Sequence, residues 1–246
     1  MTRDIGFVIL RSHTEINISH MRTKTLLLTA ALTAAGVATS MAQVYSVNMV
    51  GYINHTVPSG FSMLANQLNN SPDNKVTTLF PTPPEGTQVY KFDAATDTFI
   101  FLQFVDGAWE GDDLNLAVGP GEGIWINPPS SFAHTFVGEV QLASTVSLLS
   151  GFNMVSSALP QALPLTGAPN DGVPAAPVGL GYPVGEGDQV YQYDAATDTF
   201  VFNQFVDGAW EGDNGGAPPT TSISEAFWIN ASAPRSWSRN FVVGVD

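Results

Sequence analysis

Gln88–Asp112 reads QVYKFDAATDTFIFLQFVDGAWEGD, and Gln189–Asp213 reads QVYQYDAATDTFVFNQFVDGAWEGD. The two segments agree at 21 of 25 positions, differing at Lys91/Gln192, Phe92/Tyr193, Ile100/Val201 and Leu102/Asn203. Agreement on that scale marks an internal duplication. Within each copy the pattern is that of β structure. Apolar residues alternate along 88–92 and, more loosely, along 98–101. Asp93-Ala94-Ala95-Thr96-Asp97 supplies a turn between them, its Asp and Thr side chains suited to capping backbone amides. Asp106-Gly107 makes a second tight turn, because both residue types accept positive φ.

The likeness extends outward from this block. Gly60-Phe61-Ser62-Met63-Leu64 answers Gly151-Phe152-Asn153-Met154-Val155, and Ile124-Trp125-Ile126-Asn127 answers Phe227-Trp228-Ile229-Asn230. A Val-Gly pair recurs at Val50-Gly51, Val137-Gly138 and Val243-Gly244 and reads as a shared boundary element. The chain therefore divides into unit 43–140 and unit 141–246. No window sustains a helical period, and each unit offers five or six short strands. The expected fold is all-β: two homologous antiparallel β-sandwich or barrel-like units in tandem, separate or joined as one pseudo-twofold domain. The stretches 67–87 and 158–188 are dense in Pro or Gly and read as linkers without helices or central strands.

Met21-Arg22-Thr23-Lys24, the apolar run Leu26–Ala38 and Ser40-Met41-Ala42 have the three-part layout of a secretory signal over 21–42. The apolar run is too short to span a bilayer. Residues 1–20, which precede it, read as an upstream start assigned in error. The expected protein is secreted, periplasmic or held at the cell surface. Its part from Gln43 onward carries four bases against twenty acids, a net charge of −16. That sign repels phosphate backbones and anionic lipid, which argues against nucleic-acid and membrane partners, and it attracts cations. The chain has no cysteine, so disulfides and thiolate chemistry are excluded.

Chemistry-bearing residues are sparse. His55 and His134 both lie in the first unit, lack counterparts in the second, and read as surface or loop histidines. No nucleophile elbow, phosphate loop or zinc motif is present, so no catalytic role is expected. Acidic residues cluster around Trp109 and Trp210. Trp109 and Trp210, with Glu110 and Glu211, are the candidate ligand-binding residues, because indoles beside Asp-Gly turns read as exposed. Asp106, Asp112, Asp207 and Asp213 are candidate Ca²⁺ ligands, since that ion takes six to eight loop oxygens. Solvated turn residues are the competing reading. Trp125 and Trp228 read as core. Asp93, Asp97, Asp194 and Asp198 read as hairpin caps.

The segment Gly121–Asn127, with Trp109, the hairpin from Tyr90 to Phe99 and the opening Val44–Tyr52, resembles secreted tandem-repeat β proteins of Verrucomicrobia- and Planctomycetes-type bacteria. The resemblance covers nearly all of the chain after residue 42 and implies export and fold but no activity. The second unit departs from it at Ser224-Glu225-Ala226, where the first has Gly-Glu-Gly. Three functions compete. A non-catalytic binding or adhesion module for a polysaccharide or cell-surface partner, with two weak sites acting together, leads. A structural matrix or envelope protein is the alternative, and a glycoside hydrolase using the acidic loops ranks last.

Overall fold

The alternating segments become fourteen strands in a computed structural model, which describes residues 49–169 and 178–241. The expected signal at 21–42, residues 1–20 and the third Val-Gly pair lie outside the described residues. The first unit contributes β1 (Val50–Val57), β2 (Ser62–Ala65), β3 (Gln88–Asp93), β4 (Thr98–Val105), β5 (Ala108–Gly111), β6 (Gly123–Asn127) and β7 (Phe132–Glu139). The second contributes β8 (Ala143–Leu148), β9 (Gly151–Val155), β10 (Gln189–Asp194), β11 (Thr199–Val206), β12 (Ala209–Gly212), β13 (Phe227–Ala231) and β14 (Arg235–Asn240).

Every pairing is antiparallel. The five-stranded order β2-β6-β3-β4-β5 recurs as β9-β13-β10-β11-β12, and the two-stranded sheet β1-β7 recurs as β8-β14. Each unit is thus a five-on-two β-sandwich, and among the described residues no barrel closes. Val89, Leu102, Ile124 and Ile126 of one sheet meet Ile53, Val57 and Phe136 of the other in the first core. Val190, Phe227 and Ile229 meet Leu148 and Trp237 in the second.

The linkers complete these cores. Leu68, Val76, Leu79 and Phe80 are buried in the first, and Leu165, Leu180 and Tyr182 in the second. One helical turn, α1 (Val76–Leu79), forms within 67–87, contrary to the expectation of a helix-free linker. It fits the proline-free run between Pro72 and Pro81, where nothing blocks the backbone bond from Phe80 N–H to the Val76 carbonyl. The Val-Gly pairs explain how the linker crosses so close to the small sheet. Gly51 sits opposite Gly138, and a Cβ on Gly138 would lie 2.5 Å from the Asn69 carbonyl oxygen.

The units join about a pseudo-twofold axis. Ala65 N–H donates to the Ser224 carbonyl at 2.9 Å, and Ser156 N–H donates to the Gly121 carbonyl at 3.0 Å, the equivalent bond with the units exchanged. A third core of Met63, Ala65, Met154 and Ala226 lies between them. Here the departure at 224–226 has a steric cause. A Cβ on Gly123 would stand 2.6 Å from the Ala226 Cβ, so this site beside the axis has room for one methyl group and not two.

Candidate functional site

Strands β3 and β4 are apolar on both faces, and that decides where a ligand could sit. Val89 and Leu102 point into the sandwich, so period-2 alternation sends Tyr90, Phe92, Phe99 and Phe101 to the outer face. Register then builds rows across the sheet. Trp125 is opposite Tyr90, which is opposite Phe101, and Phe92 is opposite Phe99. One row away, Asn127 is opposite Gln88, Gln88 opposite Gln103, and Gln103 opposite Glu110. The second unit repeats this with Trp228-Tyr191-Phe202, Tyr193-Phe200 and Asn230-Gln189-Gln204-Glu211.

Two members of each polar row are held in place. Gln88 Oε1 accepts from the Tyr90 hydroxyl at 3.2 Å and from Asn127 Nδ2 at 3.1 Å. Gln189 Oε1 accepts from Tyr191 and Asn230 at 3.0 and 2.9 Å. With their oxygens engaged, these amides have hydrogens left to offer a ligand.

The aromatic rows fuse at the junction. Trp125 meets Tyr193 edge-on at 4.8 Å, and Trp228 meets Phe92 edge-on at 4.9 Å. Phe61 and Phe152 flank them at 6.0 and 5.9 Å, each nearly perpendicular to its indole. Six rings from each unit form one continuous network with neighbouring centroids within 6.4 Å. Phe61, Phe99 and Phe152 are each 46% exposed and Phe200 45%, so the network faces water as well as packing the junction. A groove of about 510 Å³ opens in it, lined by Phe61, Tyr90, Phe99, Trp125, Tyr193 and Asp198. A larger cavity of about 620 Å³ beside the junction holds Lys91 and Glu122, whose charges pair with each other at 2.7 Å.

The expected exposure of Trp109 and Trp210 is corrected: they are 8% and 5% exposed. Each lies next to Glu110 or Glu211 in a four-residue strand, and alternation points the indole inward when the carboxylate points out. Trp109 Nε1 donates to the Phe80 carbonyl at 2.7 Å and Trp210 Nε1 to Thr166 Oγ1 at 3.1 Å, so both indoles tie a linker to the sheet. Trp125 and Trp228, expected in the core, are half-buried on the outer face instead. Glu110 and Glu211 do reach that face, at the end of the amide row.

The four candidate Ca²⁺ ligands are spread over turn geometry. Asp106 and Asp207 hold the positive-φ corner of the Asp-Gly turns, with φ of 52° each. Asp112 Oδ2 accepts from Phe101 N–H at 2.9 Å and Asp213 Oδ2 from Phe202 N–H at 2.8 Å. Among the described residues no three His, Asp or Glu side chains gather where a metal could bind. Asp93 and Asp194 cap their hairpins through the amides of Ala95 and Ala196, each at 2.9 Å.

His55 and His134 are not loop residues. They face each other across β1 and β7, with the His134 ring 4.5 Å from Phe80, tilted, and 4.5 Å from Phe136, edge-on. Burial pushes the His134 pKa down to about 4, helped by the His55 charge. Among the described residues no helix is long and apolar enough to cross a membrane. No protein-family model, curated protein or solved structure matches the chain.

Sequence reasoning missed the outer face because it assigned each strand one apolar side. The signal was present. Tyr90, Phe92, Phe99 and Phe101 alternate out of phase with Val89 and Leu102, in register with Gln88 and Gln103, which a dry interface would exclude.

Proposed function

We propose that the protein is an exported, non-catalytic glycan-binding module that holds a sugar chain along the outer faces of its two five-stranded sheets. One observation carries this reading: an exposed aromatic network bordered, in each unit, by a row of Asn, Gln, Gln and Glu whose Asn and first Gln are hydrogen-bonded to each other. Sugar rings present apolar C–H faces and a rim of hydroxyls. Aromatic planes suit the first and side-chain amides with one carboxylate suit the second. An exposed apolar surface this continuous is unusual in a protein that works alone. The net negative charge excludes anionic polysaccharides and leaves neutral or cationic ones. Two equivalent rows on one rigid frame give a polymer two points of attachment, so weak sites suffice.

The test is affinity electrophoresis of the protein through gels containing neutral polysaccharides, followed by calorimetry with oligomers of whichever retards it. Phe61→Ala and Phe152→Ala remove exposed rings without opening a core. Each is expected to weaken binding by about 2- to 10-fold, the equivalent of one aromatic contact. Equal retention of wild type and the double variant on every polysaccharide would reject the proposal. Concentration-dependent self-association that disappears in the double variant would assign the face to protein contact instead.

A further inference from the structure

The two aromatic platforms are not equivalent, and the difference falls on chemistry. Of the four substitutions in the duplicated block, Phe92/Tyr193 places a phenol on one side of the junction and a plain ring on the other. Tyr193 packs over Trp125 of the first unit, and its hydroxyl donates to Asp198 Oδ1 at 2.5 Å. Both residues line the 510 Å³ groove, and Asp198 is the one charged residue among its six lining side chains. The mirror-related position has Phe92 packed over Trp228, with no hydroxyl to fix Asp97.

We infer that the groove between Trp125 and Tyr193 is a cation site that takes the protonated amino group of an amino-sugar polymer. The inference rests on the glycan reading and names the sugar class. Two observations and one general property of aromatic rings support it. Trp125 stands nearly perpendicular to Phe61 and steeply tilted to Tyr193, at 89° and 77°, so rings bound the groove from more than one side. Ring faces carry negative potential and attract an ammonium, most strongly at Trp. A carboxylate held by a phenol supplies the counter-charge at the rim, in a chain whose net charge of −14 already draws cations. A neutral sugar would use the rings and leave Asp198 idle. An anionic one would be repelled.

The experiment compares a glucosamine tetramer, its fully N-acetylated counterpart and a glucose tetramer by calorimetry at about pH 6, where a sugar amine is protonated. The wild type is expected to bind the amine form about tenfold more tightly than the acetylated form. Asp198→Asn brings the two within about twofold, and Tyr193→Phe, which releases the carboxylate, lies between. Asp97→Asn removes the same charge from the other hairpin and leaves the preference intact. Equal affinities in the wild type, or equal losses from Asp97→Asn and Asp198→Asn, overturn the cation site while continued binding of the neutral tetramers keeps the glycan reading. If no tetramer binds, the glycan reading falls, and tetramethylammonium decides the cage alone. Tryptophan emission that responds to it and loses the response in Asp198→Asn upholds the cation site. An unresponsive wild type overturns it.

Discussion

Gly123 and Ala226 face each other beside the pseudo-twofold axis, and exchanging them tests the joined architecture directly. Gly123→Ala alone puts a Cβ 2.6 Å from the Ala226 Cβ and 3.0 Å from Met154 Cγ. Carbon atoms rest about 3.5–4.0 Å apart, so the new contact is short by roughly 1 Å. Neither Cβ can rotate away, because a Cβ has no torsion of its own and both backbones are anchored: Gly123 is paired with Ala65, and Ala226 directly precedes β13. Overpacking of this kind costs about 1–3 kcal/mol, partly offset by the ~0.5–1 kcal/mol gained when Ala replaces Gly within a strand. The net expectation is a loss of about 1–2 kcal/mol. Ala226→Gly alone removes a buried methyl and loosens the backbone just ahead of β13, again costing about 1–2 kcal/mol. The exchanged pair, Gly123→Ala with Ala226→Gly, restores one methyl to the same space. It should return to within about 1 kcal/mol of wild type, a coupling of roughly 2–3 kcal/mol. Urea unfolding followed by tryptophan emission reads this as midpoint shifts at constant slope. Strict additivity of the two single changes would refute the close approach, and with it the claim that the units share a core.

Three further outcomes follow from divergence between the units. Asn203 is fully buried and its Nδ2 has no partner, whereas Leu102 fills the equivalent place in the first core, so Asn203→Leu should stabilise by about 1 kcal/mol despite losing the bond from Asn214 N–H; an unchanged or lower urea midpoint would count against it. Glu225 lacks the cation that Lys91 gives Glu122, and burial raises its pKa; Gln192→Lys should lower that pKa in a carboxylate-resolved NMR titration, and no movement would mean the lysine points elsewhere. His134 is held neutral by burial, its pKa about 4 in the fold against about 6.5 unfolded. The unfolded chain therefore takes up the proton first, so this contribution is complete above pH 6.5 and is lost as pH falls toward 4. After allowance for the ring's partial exposure the loss is about 1–2 kcal/mol, and His134→Phe should flatten stability over that window. An unaltered pH profile would show that the β1–β7 pair tolerates the charge.

Most of the fold was legible because its signals are local. The Asp93–Asp97 and Asp106-Gly107 turns fix two hairpins, and the duplicated block then fixes two units. Strand polarity was not legible in the same way. Trp109 and Trp125 are both indoles in short strands, and what separates them is phase. Trp109 shares its strand with outward-facing Glu110, and Trp125 alternates with Ile124 and Ile126, which the core claims first. A rule that buries the largest residue fails when two large residues compete for opposite faces. The junction was illegible for a different reason: it depends on contacts between distant residues such as Gly123 and Ala226, which no local pattern encodes. Only the departure from Gly-Glu-Gly to Ser-Glu-Ala marked it, and that mark needs the axis before it has meaning.

The placement of three of the four differences bears on function. Leu102/Asn203 lies in the cores, Lys91/Gln192 beside Glu122 and Glu225, and Phe92/Tyr193 in the aromatic network. The last two lie where the units meet. Two identical units joined by a twofold axis would carry two identical grooves, each built from both units. Once fused, each position of the pair can change alone. A single hydroxyl on Tyr193 then alters the groove over Trp125 while leaving the ring packing over Trp228 as it was. The outer-face rows of Asn, Gln and Glu are the same in both units. A shared polar row with unequal aromatic mouths is what a module would need to follow one polymer while distinguishing among its residues. The affinity difference between Asp198→Asn and Asp97→Asn measures that inequality directly.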